Sequence, residues 1–182
     1  MTASDNIGSQ VIGTRAGFQH VSTYTIYSAP ALDQEFSGVR LSPADISAIT
    51  PWLNSTLVRQ AHGLYRAGWK VRALTEAAVR ELFDSHEVYG LKDQTGRLTA
   101  WCVLRPDDDE TVSDRLRIDH IDGDLNSIGQ LARSIQVLAY QRRLEKVNAG
   151  LLDYEPLLRT MLQAGYQPHE QFFGLWVMEL KL

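Results

Sequence analysis

One local pattern occurs twice in this chain, and any fold must house both copies. Ala16-Gly17-Phe18-Gln19 returns as Ala164-Gly165-Tyr166-Gln167, 148 residues further on (165 less 17), and at the same offset Asp5 falls on Asp153 and Tyr24 on Phe172. Each copy reads as a helix, a glycine stop and an aromatic-rich strand, because glycine tolerates the left-handed backbone that ends helices while Thr, Tyr and Phe favour strands. A period this long points to duplicated units rather than to a solenoid of short repeats. With 182 residues, 44% of them hydrophobic, the chain can bury one core plus an appendage but not two full domains. The expected division is an extension over residues 1–30 and a domain over residues 31–182.

The spacing of apolar residues sets the elements. Residues 6–15 read as a helix capped by Asp5 or Asn6, and residues 18–27 as a strand, with Pro30 closing it. Residues 38–41 form a strand leading into Ser42-Pro43-Ala44-Asp45, a helix start, after which Ile46, Ile49, Trp52 and Leu53 turn inward. Gly63-Leu64-Tyr65 and Gly68-Trp69 make a glycine-flanked turn carrying aromatics, and Val71 begins a short strand. Thr75 caps a helix with Ala78, Val79, Leu82 and Phe83 on one face. Residues 88–92 and 98–104 flank Asp93-Gln94-Thr95-Gly96 as a hairpin, and residues 116–121 form another strand. Leu125, Ile128, Leu131, Ile135, Leu138 and Leu144 recur every three or four positions, the stripe of a long helix lying on a sheet. A strand over 147–152, a helix over 154–163 and a strand over 172–180 follow. The fold class this predicts is α+β: a mixed, mostly antiparallel central sheet with flanking helices.

The formal charge of −4, without a cluster of Lys and Arg, argues against a nucleic-acid partner. The first apolar stretch is broken by Gly13, Thr14 and Arg15, and no run is long enough to span a bilayer. A soluble, cytoplasmic protein without a membrane partner is expected. The single cysteine, Cys102, excludes an intramolecular disulfide and a cysteine-rich zinc site, and its apolar neighbours make it a buried strand residue. His20, His62, His86 and His169 show no metal spacing, so no metal site is expected. Asp107, Asp108, Asp109 and Glu110 read as a metal cluster or as a solvated hairpin tip, and the absence of a calcium loop's glycine and spacing favours the tip.

An antiparallel meander entering a long helix, then a strand, a short helix, Ala-Gly-Tyr and a terminal strand resembles the GCN5-related N-acetyltransferase (GNAT) superfamily over residues 38–182. Asp5-Asn6, Ser9 and Ala16-Gly17-Phe18 are similar to the motif that closes a unit of that family. The resemblance therefore implies that residues 1–30 are the tail of a preceding unit, and that the chain is the C-terminal unit of a tandem protein. It also implies acetyl-CoA as cofactor and acyl transfer to the amine of a small molecule or peptide. The alternative is a catalytically inactive domain with a structural, regulatory or dimerisation role, a homodimer forming through the N-terminal strand or a sheet edge.

The family holds its cofactor where two central parallel strands splay, with the pyrophosphate on amides at the start of the long helix. Carried onto this chain, the cofactor residues are Ile118, Asp119 and Ile121 on the strand, and Asn126, Ser127, Ile128, Gly129 and Gln130 in a loop running from Asp122. The family loop reads Gln or Arg, two residues, Gly, one residue, then Gly or Ala. Here Asn126 and Leu131 depart from it, Asp122 and Asp124 add negative charge, and no Lys or Arg lies between Ile118 and Ala132, so the cofactor loop is degenerate. The family's catalytic Tyr, four residues before the glycine, is Met161 here and Gly13 in the first copy; the closing-motif Asn is replaced by Tyr154, which leaves that phenol as the acid nearest the role. His120 reads as a general base, given an intrinsic pKa near neutrality, or as a strand residue with a backbone or carboxylate partner. Asp119 or Glu110 can serve through water. Trp52, Tyr65, Trp69 and Trp101 read as the lining of an acceptor pocket or as core.

Overall fold

A computed structural model of the chain describes residues 2–3, 6–67, 70–105, 114–169 and 174–180. Asp5, the Gly68-Trp69 pair, the acidic run over 107–110 and Phe172 lie outside the described residues. The elements are β1 (Thr2–Ala3), α1 (Ile7–Arg15), β2 (Phe18–Pro30), β3 (Val39–Arg40), α2 (Ile46–Ile49), α3 (Thr56–Gln60), β4 (Leu64–Ala67) and β5 (Lys70–Ala73). They continue as α4 (Glu76–Ser85), β6 (Glu87–Lys92), β7 (Leu98–Arg105), β8 (Arg115–Gly123), α5 (Leu125–Gln141), β9 (Lys146–Leu152), α6 (Glu155–Gln163), β10 (Gln167–Pro168) and β11 (Leu175–Leu180).

The main sheet runs β1-β11-β2-β9-β8-β7-β6-β3, with β10 also on β2, while β4 and β5 form a separate hairpin. Every described pairing is antiparallel except β8 with β9. This is the mixed, mostly antiparallel sheet with flanking helices that the apolar spacing predicts. At its centre β7 is buried on both faces, so its run of apolar residues divides by alternation between two cores. Ala100, Cys102 and Leu104 join Ile128, Leu131 and Ile135 of α5, while Trp101 and Val103 join Ile46, Ile49, Val79 and Leu82 of α2 and α4. The three α5 residues are fully buried, each contributing roughly 1.5–3 kcal/mol of apolar burial. Among the described residues no helix is long and apolar enough to cross a membrane.

Strand β2, from the first 30 residues, sits inside this sheet. Its residues Tyr24 to Pro30 pair with β9, and Phe18 to Tyr24 pair with β11. The two copies of the repeated pattern have matching local geometry: α1 and α6 are each nine residues long, and Gly17 and Gly165 follow them at φ 89° and 94°. Asn6 caps α1 by accepting the Ser9 amide at 3.0 Å. Their surroundings differ. Leu157 and Met161 of α6 are buried in the core beside α5, whereas α1 buries no residue and leaves Ile7 and Ile12 70% exposed.

Three local expectations are revised. The helix expected after Ser42 is broken into a 3-10 turn (Pro43–Asp45), the single turn α2 and a second 3-10 stretch (Thr50–Asn54). Pro51 lacks the N–H that a continuing helix needs and its ring collides with the preceding turn; Trp52 and Leu53 are consequently only half-buried. The long helix ends at Gln141 rather than Leu144, with Arg143 in the left-handed region at φ 61°. Leu125 to Gln130, which the apolar stripe places in the helix and the resemblance places in a cofactor loop, are helical as the start of α5.

Candidate functional site

The site is built by a fault in β8. Arg115 to Ile118 pair in parallel with Lys146 to Ala149, and there the ladder stops although both strands continue. On the other edge of β8 the register with β7 shifts at the same place: Leu104 lies opposite Ile118 and Val103 opposite His120, leaving Asp119 as the extra residue. Such a bulge bends its strand and increases local twist, which carries residues 119–123 away from β9. Arg105 secures the bulge by donating two hydrogen bonds to Asp119, at 2.8 and 2.5 Å.

The cleft opened between the strands is lined by His120, Ile121, Gly150, Leu151 and Leu152, with Tyr24, Leu57, Val58 and Leu157 over it. It is narrow, about 20 Å³, room for roughly one water. It adjoins, through Leu57, a cavity of about 490 Å³ lined by Trp52, Ser55, Thr56, Arg59, Gly123, Asp124, Leu125 and Tyr154. The wider space lies at the N-terminus of α5. Asp124 at its N-cap makes no capping hydrogen bond through its side chain, and the first amides carry the positive end of the helix dipole.

Gly123 makes the entry into α5 possible. Its φ is 144°, and a Cβ there would stand 2.5 Å from both the Ala100 Cα and the Thr99 carbonyl oxygen. Asp122 is completely buried: it accepts hydrogen bonds from the Ser55 hydroxyl at 2.7 Å and from the Gly123 amide at 2.7 Å. Burial raises its carboxyl from an ordinary 3.8 to about 6, the two hydrogen bonds only partly opposing that. Ser55 in turn accepts the Val58 amide at the start of α3, so the pair ties α3 to β8.

The cofactor residues inferred from the resemblance fall on the end of β8 and the first turns of α5, with different surroundings. Ile118 and Ile121 are core residues, Asp119 is held by Arg105, and Ile128 is fully buried. Gly129 does not face the cavity: a Cβ on it would meet Thr160 of α6 at 3.3 Å, so its smallness serves helix packing. Asn126 and Gln130 are exposed, and Ser127 is half-buried, on the first turns of α5. His120 faces the cleft between the rings of Trp101, at 4.8 Å, and Tyr65, at 6.1 Å. Its Nε2 is buried with no hydrogen-bond partner among the described residues, and burial lowers the imidazole from 6.5 to about 4, despite the nearby Asp119. The near-neutral pKa expected of it is therefore not met. Tyr154 stands at the wider cavity, before α6, and Met161 is buried in the core. Of the four aromatics, Tyr65 and Trp101 are core and Trp52 lines the cavity; Trp69 is outside the described residues.

Two functional candidates escape a reading of the β8–α5 segment alone. Arg59 reaches the cavity from α3 and supplies the cation that residues 118–132 lack, and Ser55 occupies Asp122. Only the Ser-x-x spacing that caps α3 is local in sequence; the contact with β8 is not.

No protein-family model matches the sequence, and no curated protein matches it by sequence. Solved structures do match. A GCN5-related N-acetyltransferase from Sphaerobacter thermophilus is 10% identical, with a TM-score of 0.60 over 97% of this chain and 56% of that one. A second, from Kribbella flavida, is 15% identical, with a TM-score of 0.57 over 97% of this chain and 41% of that one. N-myristoyltransferase of Saccharomyces cerevisiae with bound myristoyl-CoA is 12% identical, with a TM-score of 0.53 over 87% of this chain and 47% of that one. The chain thus spans about half the length of each of these three proteins. At these identities the likeness is one of fold, and the fold is that of the GNAT acyltransferases.

Proposed function

We propose that the chain binds an acyl-CoA and transfers its acyl group to an amine. The observation that carries this reading is the ladder between β8 and β9, which ends at Ile118 and Ala149 while both strands run on. The residues present fit the cofactor in part: the start of α5 and Arg59 border a cavity of about 490 Å³, and of the two acids at that helix start Asp122 is buried and engaged by Ser55 and Gly123 while Asp124 borders the cavity and opposes an anion there. Bound there, acyl-CoA supplies the activated thioester. The first amides of α5, with Asn126 and Ser127 beside them, and Arg59 would hold its phosphates. The facing edges of residues 119–121 and 150–152, which carry no ladder pairs, orient its extended arm. In this reading His120, unprotonated at neutral pH but made a weaker base by burial, would take the proton of the attacking amine, and Tyr154, which lines the wider cavity, would protonate the departing thiolate.

A second reading, a GNAT-fold domain without catalysis, is favoured by the narrowness of the cleft and by Met161 in place of the family's tyrosine. On that reading the chain is the second unit of a tandem pair, and the matching geometry of the α1 and α6 units supports the tandem origin. Isothermal titration with acetyl-CoA separates the two. Saturable binding, weakened in Arg59→Gln, is expected; silence up to millimolar acetyl-CoA contradicts the first reading.

A further inference from the structure

A third space, of about 180 Å³, opens where the bulge meets the end of the ladder. Among the described residues its walls carry Arg66, Arg105, Arg115, Arg117, Asp119 and Asn148. Among the described residues four arginines and one carboxylate, Asp119, therefore line it. Asp119 is engaged by Arg105, and Arg115 pairs with its neighbour Asp114, at 2.5 Å. Arg117 makes no ion pair or hydrogen bond among the described residues. Arg66 is only 5% exposed, yet it is drawn into this cluster of like charge.

The backbone is cut to admit it. Gly150 of β9 carries no Cβ, and one built there would overlap the Arg66 guanidinium, with its Cζ at 2.8 Å. Burial lowers the Arg66 pKa, Asp119 opposes that, and Arg105 and Arg117 lower it further, so the cluster is stabilised by added negative charge. Beside the arginines Asn148 presents an Oδ1 that is buried with no partner among the described residues. An acceptor atom so placed asks for an N–H donor.

We infer that this pocket binds a compact amine bearing a carboxylate or phosphate group, the oxyanion on the fork of Arg66 and Arg117 and the amine towards Asn148. Planar guanidinium groups match both oxyanions in two-pronged fashion. The pocket shares Asp119 and Gly150 with the cleft between β8 and β9. Under the acyl-transfer reading, on which this last step rests, the ligand is the acyl acceptor.

Direct titration of the full chain, without any CoA compound, tests the site. The probes are β-alanine and 2-aminoethyl phosphate, each against its amine-free counterpart, propionate or inorganic phosphate. At least one amine-bearing probe binds saturably and more tightly than its counterpart, the stronger of the two revealing which oxyanion is preferred. Arg117→Gln weakens it by about tenfold or more. The Arg117 side-chain N–H resonances of the unmodified protein shift in the same titration, a readout that does not depend on the variant folding. Absence of saturable binding by both amine-bearing probes at millimolar concentration, or equal affinity in Arg117→Gln, overturns the proposal. If the probes bind but acetyl-CoA does not, the site stands and its assignment to an acyl acceptor falls.

Discussion

The two halves of β8 share one strand and obey different rules. Arg115 to Ile118 are zipped to β9, with Leu116 and Ile118 in the core and Arg115 and Arg117 half-buried in the wall of the arginine pocket. Residues 119–123 keep β7 but have left β9, and they hold Asp119, His120 and Asp122 in or near the core. The first half is what a half-buried strand ordinarily looks like. The second concentrates buried polar groups that cost stability unless each is paired, and this is where the cleft opens. The bulge at Asp119 thus divides the part of β8 that is zipped to β9 from the part that opens the cleft.

The largest test of that comparison acts at the bulge. Asp119→Ala deprives Arg105 of its two-pronged partner inside the protein, and breaking a buried pair costs about 3–5 kcal/mol. Arg115→Ala, in the zipped half, leaves Asp114 with Lys146 at 3.0 Å and costs about 1 kcal/mol or less. Urea unfolding of the two variants measures both; equal losses would erase the distinction between the halves.

A second test uses pH. Asp122, raised to about 6, contributes stability that is fully present below its unfolded value of 3.8 and is lost as pH rises through 6. His120, lowered to about 4, contributes in the opposite sense: the protein loses stability as pH falls from 6.5 through 4. Each effect is at most about 3 kcal/mol, so within the free half they largely offset one another. Asp122→Asn removes one of them, and its stability falls more steeply than that of the unmodified protein between pH 6 and pH 4, the window set by the two values. Parallel pH profiles for the two proteins would show that Asp122 is not the buried acid described.

Much of the fold is legible along the chain because it depends on neighbours in sequence. Gly96, at φ 83°, closes the hairpin between β6 and β7, and Asp93 accepts the Thr95 and Arg97 amides around it. Thr75 caps α4 through the Ala78 amide. The repeated Ala-Gly pair reproduces one helix ending twice, at Ala16 and Ala164. The site is less legible because its determinants are distant pairs. Ser55 and Asp122 are 67 positions apart, and Arg66 depends on the missing side chain of Gly150. The bulge at Asp119 shows in the sequence only as a one-residue slip in the apolar alternation, Leu116 and Ile118 being two apart and Ile118 and Ile121 three. Asp122 and Asp124, alike as neighbours in sequence, part company in space: one is buried and engaged, the other borders the cavity.

The measurement that bears most directly on the cleft is a map of backbone amide shifts as acetyl-CoA is added to the isotopically labelled chain. Shifts concentrated on residues 119–123, on the first turn of α5 and on residues 150–152, with Arg115 to Ile118 little changed, are the result predicted here. Binding that perturbs other surfaces and leaves both strand ends untouched would contradict the assignment of this cleft to acyl-CoA.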